Sequence, residues 1–355
     1  MTADAGRPSH GRKHEGLGRG HDNVFDRIDV RPRVATTSQS SQPEVWEGPT
    51  YYGRSQLKAA PFNVWMVGGY IFLAGLSGGA AGVATLAEAV RGERAAKLGR
   101  RGRYLAMLAP TFGSALLIAD LHTPQRFYNM WRIAKPTSPM SLGTWILTSF
   151  IPGAVFGAAS QALSDVMPKT RWLKSAARIG GAPSALSGAG LSIYTASLLA
   201  ATSTPYWAAA PRALAVRFAA SSIASGAAAL VLAERDASNR DALNLALGAA
   251  LTLEAAATLA HHRTVQGKGV GGALQTGWGR SEKALAEGLG IAVPIALHLA
   301  SRFVHSQKAK RALNDLAAAA ALGGSLALRI STLGVGAESA RRPDVSFRFS
   351  QPENL

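Results

Sequence analysis

Residues 63–90 read NVWMVGGYIFLAGLSGGAAGVATLAEAV, and Glu88 is the only charged side chain among them. A bilayer core of about 30 Å is crossed by roughly twenty apolar residues rising ~1.5 Å each. A soluble helix of this length would carry charge along one face; this one carries none until its end. Seven further segments follow at similar length: Tyr104–Leu121, Met140–Leu163, Ala182–Thr202, Ala213–Ala233, Ala242–Ala260, Ala284–Val304 and Ala312–Leu333. The expected fold class is therefore an all-α polytopic membrane protein with about eight transmembrane helices. Residues 1–60, mixing Gly, Ser, Pro, Arg and Asp, are expected to form an irregular solvated tail. Residues 335–355 are expected to form a second tail.

The average composition hides this segregation. Hydrophobic residues make up 47% of 355 and the mean hydropathy is +0.08, values a soluble protein also shows. The net charge of +17 sits in short clusters between the apolar runs, so loop topology explains it and nucleic-acid binding is not expected. Arg91, Arg94, Lys97, Arg100, Arg101 and Arg103 fall between the first two spans, and Lys169, Arg171, Lys174 and Arg178 between the third and fourth. The positive-inside rule then places this set in the cytoplasm and both termini outside. No cleavable signal peptide is expected, because the first apolar run is too long for one. The chain has no cysteine, so it cannot ligate an iron–sulphur cluster with thiolates or attach a c-type haem.

The densest candidate chemistry lies between spans two and three, where residues 120–145 read DLHTPQRFYNMWRIAKPTSPMSLGTW. Proline, serine and threonine make this an ordered turn. Asp120 would end an apolar helix, where the helix dipole disfavours a carboxylate. His122 or Arg126 is within reach as its partner. The pair either closes the loop structurally or presents a proton-accepting carboxylate.

This loop resembles the membrane subunit of polysulphide reductase, the NrfD-like family. Residues 51–80 (YYGRSQLKAAPFNVWMVGGYIFLAGLSGGA) and 194–207 (YTASLLAATSTPYW) agree with it as well, whereas the half after Ala208 matches only as a hydropathy pattern. The resemblance implies two tandem four-helix bundles, residues 61–207 and 208–334, without haem. It further implies docking to an iron–sulphur ferredoxin-like subunit wired to a molybdopterin-type catalytic subunit, in a prokaryotic inner-membrane respiratory complex. Quinone (menaquinone or ubiquinone) would bind in the first bundle. By position, Tyr194 would hydrogen-bond a quinone oxygen, Trp65 and Tyr70 would line the pocket, and Asp120, His122 and Arg126 would lie on the matching loop. Some relatives have histidine where Tyr70 stands, which leaves the proton acceptor open. Trp65 and Tyr70 also suit an interfacial aromatic belt.

Other polar residues lie within the spans. Glu254 is flanked by apolar residues, while Glu287, His298 and Arg302 fall near one stripe of the seventh helix. Ionisable groups at membrane depth suggest either a proton path or an interhelical ion pair. Glu88 is expected to be solvated. His262 facing His298 would be needed for a b-type haem, and no third ligand accompanies His261 and His262 for zinc. Gly75, Gly78, Gly79 and Gly82 have spacings that permit close helix packing. Two rival functions remain, a secondary transporter and a purely structural membrane anchor.

Overall fold

The computed structural model describes residues 57–121, 123–351 and 354. Every regular element among them is a helix. Asn63 caps α1 (Val64–Arg91) by accepting from the backbone N–H groups of Trp65 and Met66. The helix stops at Gly92, whose φ of 56° suits glycine. A single 3₁₀ turn, Gly92–Ala95, reverses the chain into α2 (Ala96–Ala119). Glycines close this hairpin: Gly99 lies under Glu88, Gly102 under Ala84 and Gly113 against the backbone of Tyr70.

A 3₁₀ segment, Pro124–Arg132, leads to α3 (Pro139–Val166) and α4 (Arg171–Ala200). The short α5 (Pro205–Ala208) precedes α6 (Pro211–Ala233) and α7 (Ala237–Gly267). Next comes one continuous rod: α8 (Gly277–Ser281), a π-helical stretch Glu282–Ala292, and α9 (Val293–Ser301). α10 (Gln307–Arg341) and α11 (Pro343–Phe349) complete the chain. Six segments are long and apolar enough to cross a membrane, and one of them, Val64–Ala119, is the α1–α2 hairpin. α4 has the length for a crossing, but its many Gly and Ser residues lower its hydropathy.

The helices alternate in direction. The 3₁₀ loop, α5, residues 268–276 and α11 therefore gather at one end of the bundle, here the proline-loop side. The turns 92–95, 167–170, 234–236 and 302–306 gather at the other, the arginine side. α1 is the hub. Its Gly78 meets Gly188 of α4 backbone to backbone, and its Gly79 meets the backbone of α6 at Ser222. Gly226 of α6 returns the contact against Ala80. A methyl group at these crossings would overlap the neighbouring main chain, which is why small residues occupy them. Gly82 does not take part, having no neighbour close to where a Cβ would stand.

Two expectations change here. Glu88 is 9% exposed and bonds Arg103 through both oxygens, at 2.5 and 3.2 Å, and Gln161 also accepts from Arg103. Its partner comes from the next helix, so it is not simply solvated. Residues 335–349 are not a tail: α10 runs to Arg341, and Val345 of α11 is buried in the same core as Trp207 and Val270. The charges Glu338, Arg341 and Arg342 end the apolar run without ending the helical order.

Candidate functional site

Under the proline loop, three helices converge on a polar group. Tyr70 of α1 has Asp120 and Tyr194 within electrostatic reach. Asp120 is the C-cap of α2, half-buried. Tyr194 of α4 lies directly over Gly143 of α3, where any side chain would enter its phenol ring. Gly143 thus makes the bed for Tyr194, and Gly113 lets α1 bring Tyr70 close. No described residue hydrogen-bonds either phenol.

The loop folds back onto the start of α3. Ser141 Oγ donates to the Ile133 carbonyl and accepts from Lys135 N–H, both at 2.9 Å, and the Trp131 indole donates to Thr148. Phe127 meets Trp131 edge to face. Arg126 is exposed and forms no ion pair with Asp120 among the described residues. His122 lies outside the described residues. Trp65 points elsewhere: five residues before Tyr70, it lies about 140° around the helix. It is 66% exposed and leans on Trp278, ring centres 6.3 Å apart, at one end of an apolar groove of about 580 Å³. The structure therefore unites Tyr70, Asp120 and Tyr194 and sets Trp65 and Arg126 apart.

A family model described as polysulphide reductase, NrfD, matches residues 56–339. The chain belongs to the NrfD family. The match extends well past Ala208, so the second half is part of the NrfD unit and not merely similar in hydropathy. NrfD proteins are multi-pass membrane subunits of polysulphide-reductase-type redox complexes, working with catalytic and iron–sulphur subunits. No curated protein matches the chain significantly.

The NrfD fold also encloses a second polar cluster, which sequence inspection largely missed. Arg217 of α6 and Glu282 of the π stretch are both fully buried and form an ion pair. The Tyr206 hydroxyl donates to Glu282 at 2.8 Å. Arg217 also approaches Glu287 at 3.6 Å, and Glu287 in turn lies 3.2 Å from His262. Arg329 of α10, 1% exposed, donates to the Phe218 carbonyl and Ser222 Oγ and stacks over the Phe218 ring. Glu254, 4% exposed, lies within reach of Ser221, Arg329 and Arg217. An arginine between Val216 and Phe218, inside the first turns of an apolar run, was the available signal. Of the two readings of the span carboxylates, the interhelical pair is seen: Glu287 meets Arg217 of α6 and His262 of α7, and His298 and Arg302 of its own helix take no part. Instead His298 bridges Asn314 and the Asn244 carbonyl, eighteen residues before His262 on α7. That separation, about 27 Å along the helix, keeps His262 and His298 from facing each other.

On the arginine side, charges tie the two halves together. Arg101 of α2 pairs with Glu234 after α6 at 2.5 Å and Arg91 donates to Ser238, while Arg240 and Asp315 pair within the second half. Burial raises the Glu234 carboxyl. The backbone N–H groups of Asp236 and Arg235, with Arg101, outweigh it and hold the group below the ordinary range.

Proposed function

We propose that this chain exchanges electrons between quinone and an iron–sulphur partner subunit of a respiratory oxidoreductase in a prokaryotic inner membrane. The observation that carries the reading is the convergence of Tyr70, Tyr194 and Asp120 beneath the proline loop. Two phenols without a hydrogen-bond partner among the described residues match the carbonyl and hydroxyl oxygens of a quinone head group. Asp120, at the mouth of the same group, is placed to exchange a proton with the loop side. Quinone, when bound, supplies two-electron and two-proton chemistry. The chain's own residues orient the head group and hold the proton. Lacking cysteine, the chain must pass electrons to a cluster on another subunit, which in this family sits beside a catalytic subunit, here of molybdopterin type.

The test is quinone-linked turnover of the assembled complex. Asp120→Asn and Tyr194→Phe should each lower it by about a hundredfold, the low range for a positioned proton-transfer group, while assembly persists. Wild-type turnover in both variants, with quinone-analogue binding unchanged, would remove the site.

A further inference from the structure

The second half of the bundle buries more ionisable side chain than helix packing calls for. α7 carries Glu254, Thr258, His261 and His262 on successive turns of one stripe. Thr258 Oγ1, both nitrogens of His261, Glu282 Oε2 and Arg329 Nε are buried with no protein partner among the described residues. Buried polar groups are normally satisfied. A run of unsatisfied ones along a single stripe points to an enclosed hydrated path.

The charge balance is specific. Three carboxylates, Glu254, Glu282 and Glu287, face two guanidiniums, Arg217 and Arg329, and guanidiniums do not give up their protons. Arg217 pairs with Glu282 and approaches Glu287, whereas Glu254, 4% exposed, makes no ion pair within 4.0 Å among the described residues, so it is the least compensated carboxylate of the three and the one a proton neutralises. His262, Glu282 and Glu287 approach one another within 4.8 Å, but Arg217 already engages both carboxylates, and its positive charge disfavours a metal ion beside them.

We propose that this cluster is an internal proton-binding site, loaded from the proline-loop side through His262 and Glu287 and holding its proton on Glu254. His262 and Glu287 are 16% and 25% exposed; His262 lies five residues from the loop-side end of α7 and Glu287 ten residues into the rod beside it, whereas Glu254 is eight residues deeper than His262 on α7, about 12 Å. Thr258 stands between them. The groups facing Glu254 are Ser221 and Arg217 from α6 and Arg329 from α10. Those facing the entry are Arg217, Glu282, Lys283 and His261, with Tyr206 edge-on to His261 at 5.0 Å. A proton from loop-side water binds the His262–Glu287 pair, passes along the Thr258 hydroxyl and enclosed water, and comes to rest on Glu254. Only O–H and N–H bonds form and break. The site lies outside the first bundle and stands whether or not quinone binds there.

Infrared difference spectroscopy of the full chain in detergent, recorded against pH and after transfer to D₂O, tests this. Wild type should show one protonated carboxyl band titrating between about pH 5 and 9, the span open to buried carboxyl groups. The band should shift with ¹³C-glutamate labelling and vanish in Glu254→Gln. In His262→Gln or Glu287→Gln it should remain, with its deuterium exchange slowed about a hundredfold. The proposal is overturned by the absence of any glutamate carboxyl band in wild type, or by a band that survives Glu254→Gln. It is overturned equally by unchanged exchange in both entry variants, or by a stoichiometric metal ion that His262→Gln loses. Should Glu254→Gln fail to fold, Glu254→Asp, which keeps a carboxyl and moves the band, makes the assignment in its place, and a band unmoved there overturns the proposal.

Discussion

Replacing Glu282 by glutamine isolates one charge. The side chain keeps its shape and an oxygen that can accept from Tyr206, so the 2.8 Å hydrogen bond survives. What is lost is the carboxylate against Arg217, and both groups are 0% exposed. Removing one partner of a buried ion pair costs about 3–5 kcal/mol, because the other charge is left uncompensated. Arg217 retains Glu287 at 3.6 Å, which places the expected loss near the lower end, about 3 kcal/mol. That is about two powers of ten in the folding equilibrium. The double variant Arg217→Met/Glu282→Leu strands neither member of this pair and should return part of this loss, the remainder reflecting Glu287, left with His262 alone, and the Tyr206 hydroxyl, left without its acceptor. The assay is reversible unfolding in mixed detergent micelles, run as a double-mutant cycle. Interhelical hydrogen bonds in lipid average only about 0.6 kcal/mol in such cycles. A coupling energy no larger than that would refute the reasoning: the pair would then be one more polar contact, readily replaced when the helices separate.

Three further outcomes follow from the geometry. Gly143→Ala should displace the Tyr194 phenol, cost about 1–3 kcal/mol of stability through overpacking, and reproduce the turnover defect of Tyr194→Phe; normal quinone-linked turnover would break the Gly143–Tyr194 link. Trp65→Ala should leave that turnover within about threefold, less than one kcal/mol of transition-state stabilisation, because the indole faces the groove beside Trp278; a loss as deep as that of Tyr194→Phe would return Trp65 to the quinone pocket. Glu234→Gln tests the arginine side by pH. The folded carboxyl is held low, so its stabilisation is complete above the unfolded value of about 4.3 and disappears as pH falls through the folded value. The variant should therefore lose about 1.5–3 kcal/mol at neutral pH and converge with wild type in acid; a gap that stays constant on acidification would show that the Arg101 contact is not its source.

Hydropathy found the crossings and misplaced their ends for one reason. It reports contact with lipid, whereas a helix continues wherever its backbone is hydrogen-bonded. The fourth segment, read as beginning at Ala182, starts at Arg171, because Lys174 and Arg178 ride on a helix already clear of the apolar layer. α2 likewise starts at Ala96, eight residues before Tyr104, with its arginines paired to neighbours. The polar groups divide in the same way. Tyr70, Asp120 and Tyr194 were legible from motifs, but which of Trp65 and Tyr70 faces inward depends on the angle at which α1 packs. Arg217 and Arg329 went unmarked because one arginine barely lowers the average of an apolar run. Glu88 misled because its partner, Arg103, comes from the returning arm of a hairpin.

α1 connects the two polar groups. Tyr70 belongs to the loop-side cluster, and five residues on, about 7.5 Å along the same helix, Gly75 presses on Ser222 Oγ and the guanidinium of Arg329. Two turns beyond Tyr70, Gly78 and Gly79 lock this helix to α4 and α6 by backbone contact. Glycine-lined crossings leave no side chain to absorb a displacement, so a shift of α1 at Tyr70 is passed on to the helices that hold the buried charges. Arg329 answers to both sides, since it hydrogen-bonds α6 at Phe218 and Ser222 and faces Glu254 of α7. A guanidinium moved even slightly toward or away from Glu254 changes how strongly that carboxylate is favoured over its protonated form. α1 thus contributes a tyrosine to one site and a glycine seat to the counter-charge of the other, which α10 carries.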